Sequence, residues 1–325
     1  METRIAGRLL SCTGGLYTFF PEETAEYPVP DALRDTPLTL RARGVFRYQG
    51  ESPCAGDLVL LRTELGETGR PENGRGLLME RILPRKNLLI RPPVANLDFL
   101  IITAAAAEPA PSLLLLDKLI CSALVRGVTP ILVINKRDLA PESCDELCAI
   151  YRKAGLAVYP ISVRTGEGTK ELRAALLSLL PDRCAAFAGA SGVGKSSCLN
   201  LLFPALSLST GQVSARTGRG RHTTRQAVLH RLPLGESGRF SFLADTPGFG
   251  LLDFVHFDFM EQEDLVFSFP EFEPYLGLCR YTKCTHTKEE GCAILAAVEN
   301  GAIAPSRHES YLALREELKR RKRRP

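Results

Sequence analysis

Short apolar runs separated by glycines, prolines and polar turns fill residues 1–85. This pattern predicts β-strands over residues 5–10, 16–20, 38–48, 57–62 and 76–83. Five short strands in such a segment are typical of a small closed barrel, of either the oligonucleotide-binding or the SH3-like type. In the third strand Leu38, Leu40 and Ala42 alternate with Arg41 and Arg43, so one face of the barrel is predicted to carry arginines.

Beyond Pro92 and Pro93 the pattern changes to apolar strands that alternate with amphipathic helices. Strands are predicted over residues 97–103, 131–134, 157–161 and 184–188. Helices are predicted over residues 112–125, 142–154 and 168–180. This alternation is typical of a mostly parallel sheet with helices on both faces. We therefore predict a barrel domain over residues 1–90 and an α/β domain over residues 91–252.

The composition after residue 252 changes to aromatic and acidic, then to a cysteine cluster, and finally to helical patterns. Helices are predicted over residues 292–300 and 307–321, the second with a capping box formed by Ser306 and Glu309. The predicted fold class is a multi-domain protein, with an all-β barrel, a central α/β domain and a mostly helical domain over residues 253–325.

Composition narrows the class of protein further. The chain is 45% hydrophobic and 24% charged, and charged residues or prolines interrupt its most apolar region, so we expect no membrane span. The N-terminal residues lack the apolar stretch of a signal peptide, so we expect a cytoplasmic protein whose ten cysteines are thiols or metal ligands. Six consecutive basic residues at 319–324 point to a polyanionic partner, although a solvated helix end has the same composition.

A glycine-rich loop follows the strand predicted at 184–188 and precedes apolar residues at helical spacing. It consists of Gly189, Ala190, Ser191, Gly192, Val193, Gly194, Lys195, Ser196 and Ser197. Its glycines allow backbone N–H groups to turn towards phosphate oxygens at the positive end of a helix. We predict a nucleoside triphosphate site in which Lys195 reaches the β- and γ-phosphates and Ser196 binds Mg²⁺.

Asn135, Lys136 and Asp138 follow another predicted strand and supply what a guanine pocket needs. The Asp138 carboxylate can accept from the N1–H and the exocyclic amino group of guanine together, whereas adenine has no such pair of donors. Lys136 is predicted to lie along the base, and Ser162 and Val163 to supply a backbone N–H for the guanine oxygen.

The remaining parts of a GTPase site follow the phosphate loop. Asp245 is predicted as a Mg²⁺ carboxylate, Gly248 as a donor to the γ-phosphate, and Thr223 or Thr224 as the second hydroxyl on the metal. The base-reading residues precede the phosphate loop, whereas they follow it in most GTPases. The order of the motifs is therefore permuted.

Three cysteines and a histidine lie within fourteen residues of the C-terminal segment: Cys279, Cys284, His286 and Cys292. Three thiolates and one imidazole match a closed tetrahedral site with no position left for a substrate. We predict one structural Zn²⁺ there.

These motifs together resemble the ribosome small subunit-dependent GTPase A (RsgA) family. The resemblance extends to Gly-Arg-His-Thr-Thr at 220–224, Asp-Thr-Pro-Gly at 245–248, Arg-Lys-Asn at 85–87 and Arg-Pro-Pro-Val-Ala-Asn at 91–96, and so covers nearly the whole chain. It implies an oligonucleotide-binding barrel, a zinc domain, and a GTPase that binds the small ribosomal subunit in late maturation and is stimulated by it. Phe249 stands where many GTPases have a water-orienting glutamine, and the resemblance points to His222 for that role.

We therefore predict a monomeric GTP-hydrolysing ribosome-assembly factor whose partners are GTP, GDP and the rRNA of the small subunit. An RNA-binding scaffold that holds GTP as a structural ligand is the alternative. A phosphate-loop kinase would need an acceptor pocket and a lid, and no stretch of the sequence indicates either one.

Overall fold

The chain forms two compact units, each assembled from three separate segments. The computed structural model describes residues 2–41, 52–64, 77–90, 93–204, 227–234, 240–245 and 260–321. Unit 1 comprises Met1–Phe99, Ala175–Phe187 and Gly211–Phe249, and unit 2 comprises Leu100–Ala174, Ala188–Thr210 and Gly250–Pro325. The core of each unit therefore depends on residues that are far apart in the sequence.

Strands predominate in the first part of the chain and helices in the last. The strands within the described residues are β1 (Glu2–Thr13), β2 (Leu16–Pro21), β3 (Leu38–Arg41), β4 (Leu58–Glu64), β5 (Leu78–Ile82), β6 (Leu88–Ile90), β7 (Pro93–Ala95), β8 (Phe99–Ala105), β9 (Thr129–Asn135), β10 (Ala157–Pro160), β11 (Cys184–Gly189), β12 (Val228–Leu232) and β13 (Ser241–Asp245). The α-helices there are α1 (Leu113–Val125), α2 (Pro141–Lys153), α3 (Thr169–Leu179), α4 (Lys195–Leu202), α5 (Ala293–Glu299) and α6 (Pro305–Arg321). None of these six helices combines the length and the apolar composition needed to cross a bilayer.

β1 is the central strand of unit 1. It pairs antiparallel with β2 and β4, and near its end with β12, where Ser11 lies opposite Val228. Gly7 permits the close pairing with β2, because a Cβ atom there would overlap the carbonyl oxygen of Phe20 and the ring of Phe19. On the far side, β12 pairs with β13, which runs parallel to β11.

Each strand predicted for residues 1–85 has a counterpart in unit 1, although the third is described only at Leu38–Arg41. Apolar residues of these strands and of the connection between β2 and β3 form one core. Its buried members are Ile5, Leu9, Phe19, Val29, Leu33, Leu40, Val59, Leu61 and Met79. In β3 the predicted alternation is confirmed at Leu40, which is buried, and at Arg41, which is exposed. Ala42 and Arg43 lie outside the described residues. The oligonucleotide-binding type of barrel stays a prediction.

The Arg-Lys-Asn sequence at 85–87 stabilises the fold of unit 1. Arg85 Nε lies 2.6 Å from the carboxylate of Asp57, which is fully buried. The side-chain amide of Asn87 donates to the carbonyl oxygen of Leu97 at 2.7 Å and accepts from the backbone N–H of Leu97 at 2.9 Å. Each polar group buried here has a partner, which avoids the cost of an unpaired buried donor or acceptor.

In unit 2, β10, β9 and β8 lie side by side, and β9 and β10 run parallel. Residues 130–135 of β9 are all buried, as expected for a strand covered on both faces. Parallel pairing brings the carboxyl ends of β9 and β10 to one edge of the sheet, and functional loops start from such edges in α/β folds. The α/β alternation predicted for residues 97–180 is confirmed by the positions of β8 to β10 and α1 to α3.

An apolar core of unit 2 lies in the C-terminal segment. The rings of Phe269 and Phe272 stack with their centroids 5.0 Å apart, and Tyr311 of α6 meets both of them edge-on. Cys121 of α1 belongs to the same core. The C-terminal segment therefore packs against a helix of the α/β fold.

The last helix begins earlier than the sequence pattern predicted. α6 starts at Pro305, so Ser306 is already a helical residue and the predicted capping box with Glu309 is wrong. Proline suits the first helical position because its fixed φ is pre-organised for the helix and the N–H that it lacks has no partner in the first turn.

Candidate nucleotide-binding site

The glycine-rich loop connects the end of β11 to the start of α4 in unit 2. Gly189, Gly192 and Gly194 have φ values of +148°, +81° and +91°, which side-chain-bearing residues rarely adopt. Gly194 immediately precedes the helix, and Ser196 is exposed in its first turn. The loop and the free N–H groups of a helix start are the arrangement that phosphate-binding loops use.

Two of these glycines are also needed for close packing. A Cβ atom on Gly189 would overlap the carbonyl oxygen of Thr103 in β8, and one on Gly194 would overlap the side-chain amide of Asn135. Larger residues at either position would therefore push the loop away from the sheet edge or from the base-reading motif.

Asn135 links the three predicted base and phosphate motifs. Its side chain is buried at the end of β9, and its Nδ2 donates to the carbonyl oxygen of Val193 at 2.8 Å. Its Oδ1 accepts from the backbone N–H of Val163 at 3.1 Å. One amide thus joins the phosphate loop to the loop after β10, and the structure brings these sequence-predicted residues together.

Asp138 lies beside the second predicted base-reading loop. Its Oδ1 accepts from the hydroxyl of Ser162 at 2.5 Å, and Ser162 is fully buried. Arg164 Nε lies 2.8 Å from Oδ2. The hydrogen bond from Ser162 and the charge of Arg164 lower the pKa of Asp138 below its ordinary value, so this carboxylate is ionised at neutral pH. Sequence reasoning assigned no role to Arg164, although it directly follows Ser162 and Val163.

Lys136 holds a neighbouring loop. Its backbone has φ of +64°, which is uncommon for a residue with a side chain, and its ammonium group donates to the carbonyl oxygen of Glu108. The segment that precedes α1 is thereby tied to the motif that follows β9.

The four predicted zinc ligands converge in the C-terminal segment, with all donor atoms within 4.8 Å of one another. A tetrahedral site with Zn–S bonds of about 2.3 Å places two sulfur atoms about 3.8 Å apart, and a sulfur and a nitrogen atom about 3.5 Å apart. The Sγ atoms of Cys279 and Cys292 are 3.9 Å apart, and His286 Nδ1 lies 3.5 Å and 3.4 Å from them. The donor set therefore fits Zn²⁺ in both composition and spacing.

Glu289, which sequence reasoning missed, orders the loop between the ligands. Its carboxylate accepts from the backbone N–H groups of Thr285, Thr287 and Lys288 at 2.9, 2.8 and 3.0 Å. These bonds satisfy three donors of a short loop that has no regular secondary structure. Burial alone would raise the pKa of Glu289, but the hydrogen bond from the Thr285 hydroxyl and these backbone bonds lower it. The spacing of an acidic residue between two cysteines could have suggested this role.

Several predicted residues are not positioned by the structure. His222, Thr223, Thr224 and Gly248 lie outside the described residues. Asp245 is the last residue of β13 in unit 1, where its backbone pairs with Val228. Their predicted roles in Mg²⁺ binding and catalysis stay predictions.

Comparisons with known proteins agree with this arrangement. A sequence model of the RsgA GTPase family matches residues 82–255. A small ribosomal subunit biogenesis GTPase RsgA from Moorella thermoacetica is 44% identical over 285 residues, which are 88% of this chain and 91% of that protein. The protein of the same name from Agathobacter rectalis is 37% identical over 98% of this chain and 99% of its own length.

Solved structures show the same similarity. The crystal structure of YjeQ from Thermotoga maritima matches with a TM-score of 0.71 and 30% identity, over 97% of this chain and 98% of that one. YloQ, described as a circularly permuted GTPase, matches with a TM-score of 0.71 and 29% identity, over 99% and 97% of the two chains. The predicted permuted order is therefore confirmed. The matched family, the relatives and the assembled motifs lead to one conclusion: this chain belongs to the RsgA GTPase family.

Proposed function

We propose that this protein binds guanine nucleotides through the loops after β9, β10 and β11 and hydrolyses GTP as a factor in small ribosomal subunit biogenesis. One observation carries the proposal: the buried Asn135 side chain bonds to Val193 in the phosphate loop and to Val163 in the base-reading loop. A bound nucleotide contacts the protein with its base and its phosphates at the same time. The hydrogen bonds of Asn135 fix the position of the phosphate loop relative to the base-reading loop. The names of the relatives supply the biological process.

In this proposal the base is read by Asp138, with Lys136 along its face and the Ser162–Val163 backbone near its oxygen. The phosphates lie in the loop formed by residues 189–197, with Lys195 at the β- and γ-phosphates. Ser196 and Asp245 hold Mg²⁺ together with Thr223 or Thr224, and this ion would neutralise charge on the phosphate oxygens. Gly248 donates to the γ-phosphate.

His222 orients the attacking water, because Phe249 has no side-chain hydrogen-bonding group with which to do so. Residues 207–225 are rich in glycine, arginine, serine and threonine and contain few large apolar side chains. Contact with the small subunit would position His222 and so raise the rate, since correct positioning lowers the entropic part of the barrier.

We further propose that Cys279, Cys284, His286 and Cys292 hold a structural zinc ion. The distances between their donor atoms support this assignment. Four protein ligands complete a tetrahedral site, so the ion would stabilise the segment between the 3₁₀ helix Pro270–Tyr275 and α5 without taking part in hydrolysis.

The partner we propose is the rRNA of the small subunit at a late stage of its maturation, contacted by an oligonucleotide-binding barrel over residues 1–90 and by the basic residues at 319–324. The GTPase domain would extend over residues 91–252 and the zinc domain over residues 253–325. We expect a cytoplasmic monomer.

The test is GTP turnover by the purified protein alone and with small subunits, large subunits or free RNA. We expect slow hydrolysis alone and stimulation specific to the small subunit. Tight GTP binding with no turnover under any of these conditions would instead support a scaffold that uses GTP as a structural ligand.

A further inference from the structure

The carboxylate of Asp138 is almost enclosed by its neighbours, and its Oδ2 atom is buried. Its side chain is only 10% exposed, and the fully buried Ser162 approaches Oδ1 from the interior. The Arg164 side chain is 72% exposed, yet its Nε lies 2.8 Å from Oδ2. A largely solvated cation therefore covers the Oδ2 atom of the group that is assigned to read the base.

A guanine base must reach this carboxylate from the side on which the exposed Arg164 lies, because the fully buried Ser162 lies on the other side. Its N1–H and amino group present two donors, so both carboxylate oxygens have to be available to them. Each oxygen has two lone pairs, and Ser162 can therefore keep its bond while a base pairs with Oδ1. The Arg164 guanidinium, in contrast, stands in the path of the base to Oδ2.

We propose that Arg164 is a gating residue, which covers the Asp138 carboxylate in the nucleotide-free protein and swings into solvent when guanine binds. This inference rests on the proposed function, since it takes Asp138 as the base-reading group. Every binding event must break the Arg164–Asp138 ion pair. The ion pair therefore slows association and weakens affinity without affecting the bound state.

The size of the effect follows from the exposure of Arg164. Ion pairs with an exposed partner are weak because water screens them, and the affinity cost of breaking one is about 1.5-fold to fivefold. A guanidinium that contacted the bound base would have the opposite effect on affinity. If the guanidinium moved onto the bound base and stacked on it, the cation–π contact would strengthen binding.

The experiment compares wild-type protein with Arg164→Ala and Arg164→Gln in stopped-flow binding of a fluorescent GDP analogue. We expect both variants to associate faster and to bind more tightly by about 1.5-fold to fivefold, with unchanged dissociation rates. Arg164→Lys, which keeps a cation, should stay closer to wild type than either of them. Lys170→Ala removes the same charge from an exposed position of α3 and should behave as wild type.

Two results would overturn the gating role. One is faster dissociation and weaker binding in Arg164→Ala, which would show stacking on the base; the other is an unchanged association rate. Asp138→Asn, measured in the same series, separates this inference from the proposed function. If Asp138→Asn loses GDP binding while Arg164→Ala matches wild type, only the gating role fails. If Asp138→Asn binds GDP as wild type does, the base pocket is misassigned and both fail.

Discussion

Nη1 of Arg307 in α6 lies 2.5 Å from Oδ1 of Asp117 in α1, and each side chain is only 1% exposed. The same guanidinium lies 2.6 Å from the carboxylate of Glu271 and 4.6 Å from the ring centre of Phe269. A single buried arginine of the last helix thus contacts two other parts of unit 2. One is α1, and the other is the segment with Phe269 and the 3₁₀ helix Pro270–Tyr275. The segment with the cysteine and histidine cluster is attached to this part of unit 2 by charge as well as by apolar packing.

Removing that arginine should destabilise the protein strongly. In Arg307→Met two buried carboxylates lose their counter-charge, and the free energy of unfolding should fall by about 3–5 kcal/mol. Urea unfolding curves measure the difference. Arg320→Ala, which breaks an exposed pair with Glu316, is the matched control and should change stability by less than about 1 kcal/mol. Equal effects of the two variants would contradict the structural role of Arg307.

Asn135→Ala should weaken nucleotide binding, because it leaves the Val193 carbonyl and the Val163 N–H without their partner. Unpaired buried groups cost about 1–3 kcal/mol, so GDP affinity should fall by about fivefold to 150-fold. Equilibrium titration with a fluorescent GDP analogue gives the affinity. Asn300→Ala at the exposed end of α5 serves as the control. Wild-type affinity in Asn135→Ala would show that the link is dispensable.

Asp138→Asn should change base preference as well as affinity. An amide cannot accept from both guanine donors, but it can donate to the carbonyl group that xanthine carries at that edge. We expect weaker GTP binding and a relative gain for xanthosine triphosphate in competition assays. Asp145→Asn on the surface of α2 should leave both affinities unchanged. Unchanged preference in Asp138→Asn would place the base elsewhere.

Cys284→Ser should abolish stoichiometric zinc, because it removes one of the three thiolates that form the tetrahedral site together with His286. Metal analysis of wild type should give about one zinc per chain. Loss of the ion should loosen the C-terminal segment, as seen by limited proteolysis, while nucleotide binding stays near the wild-type value. Cys12→Ser removes a half-buried thiol outside the cluster and should retain the metal. Carefully purified wild-type protein without zinc would exclude the assignment.

His222→Ala should lower the subunit-stimulated rate of GTP hydrolysis by roughly ten- to a thousandfold, since a positioned group that orients water contributes effects of this size. GTP affinity should change little, because the histidine is assigned to the attacking water and not to the nucleotide. Single-turnover rates with and without small subunits provide the measurement. Stimulation as strong as in wild type would assign the positioning role to another group.

The sequence by itself determined the features whose chemistry lies in a short stretch of chain. Nine contiguous residues specify the phosphate loop, and fourteen contain all four predicted zinc ligands, so spacing alone predicts what each cluster binds. The spacing of apolar residues that predicts a strand or a helix is likewise a property of residues close together in the sequence. For this reason β1, β2, β9 and the helices α1 to α3 occur close to their predicted positions.

Only the tertiary structure decided which distant groups meet. Asn135 and Val193 are 58 residues apart, and Asp117 and Arg307 are 190 residues apart. No local pattern marks such pairs, because an asparagine after a strand or an arginine on a helix has the same local preferences with or without a partner. These contacts are strong because their polar groups are buried away from water. Which groups are buried depends on how the whole fold assembles. The gating role proposed for Arg164 depends likewise on its ion pair with Asp138, which joins two loops that only the folded sheet brings together.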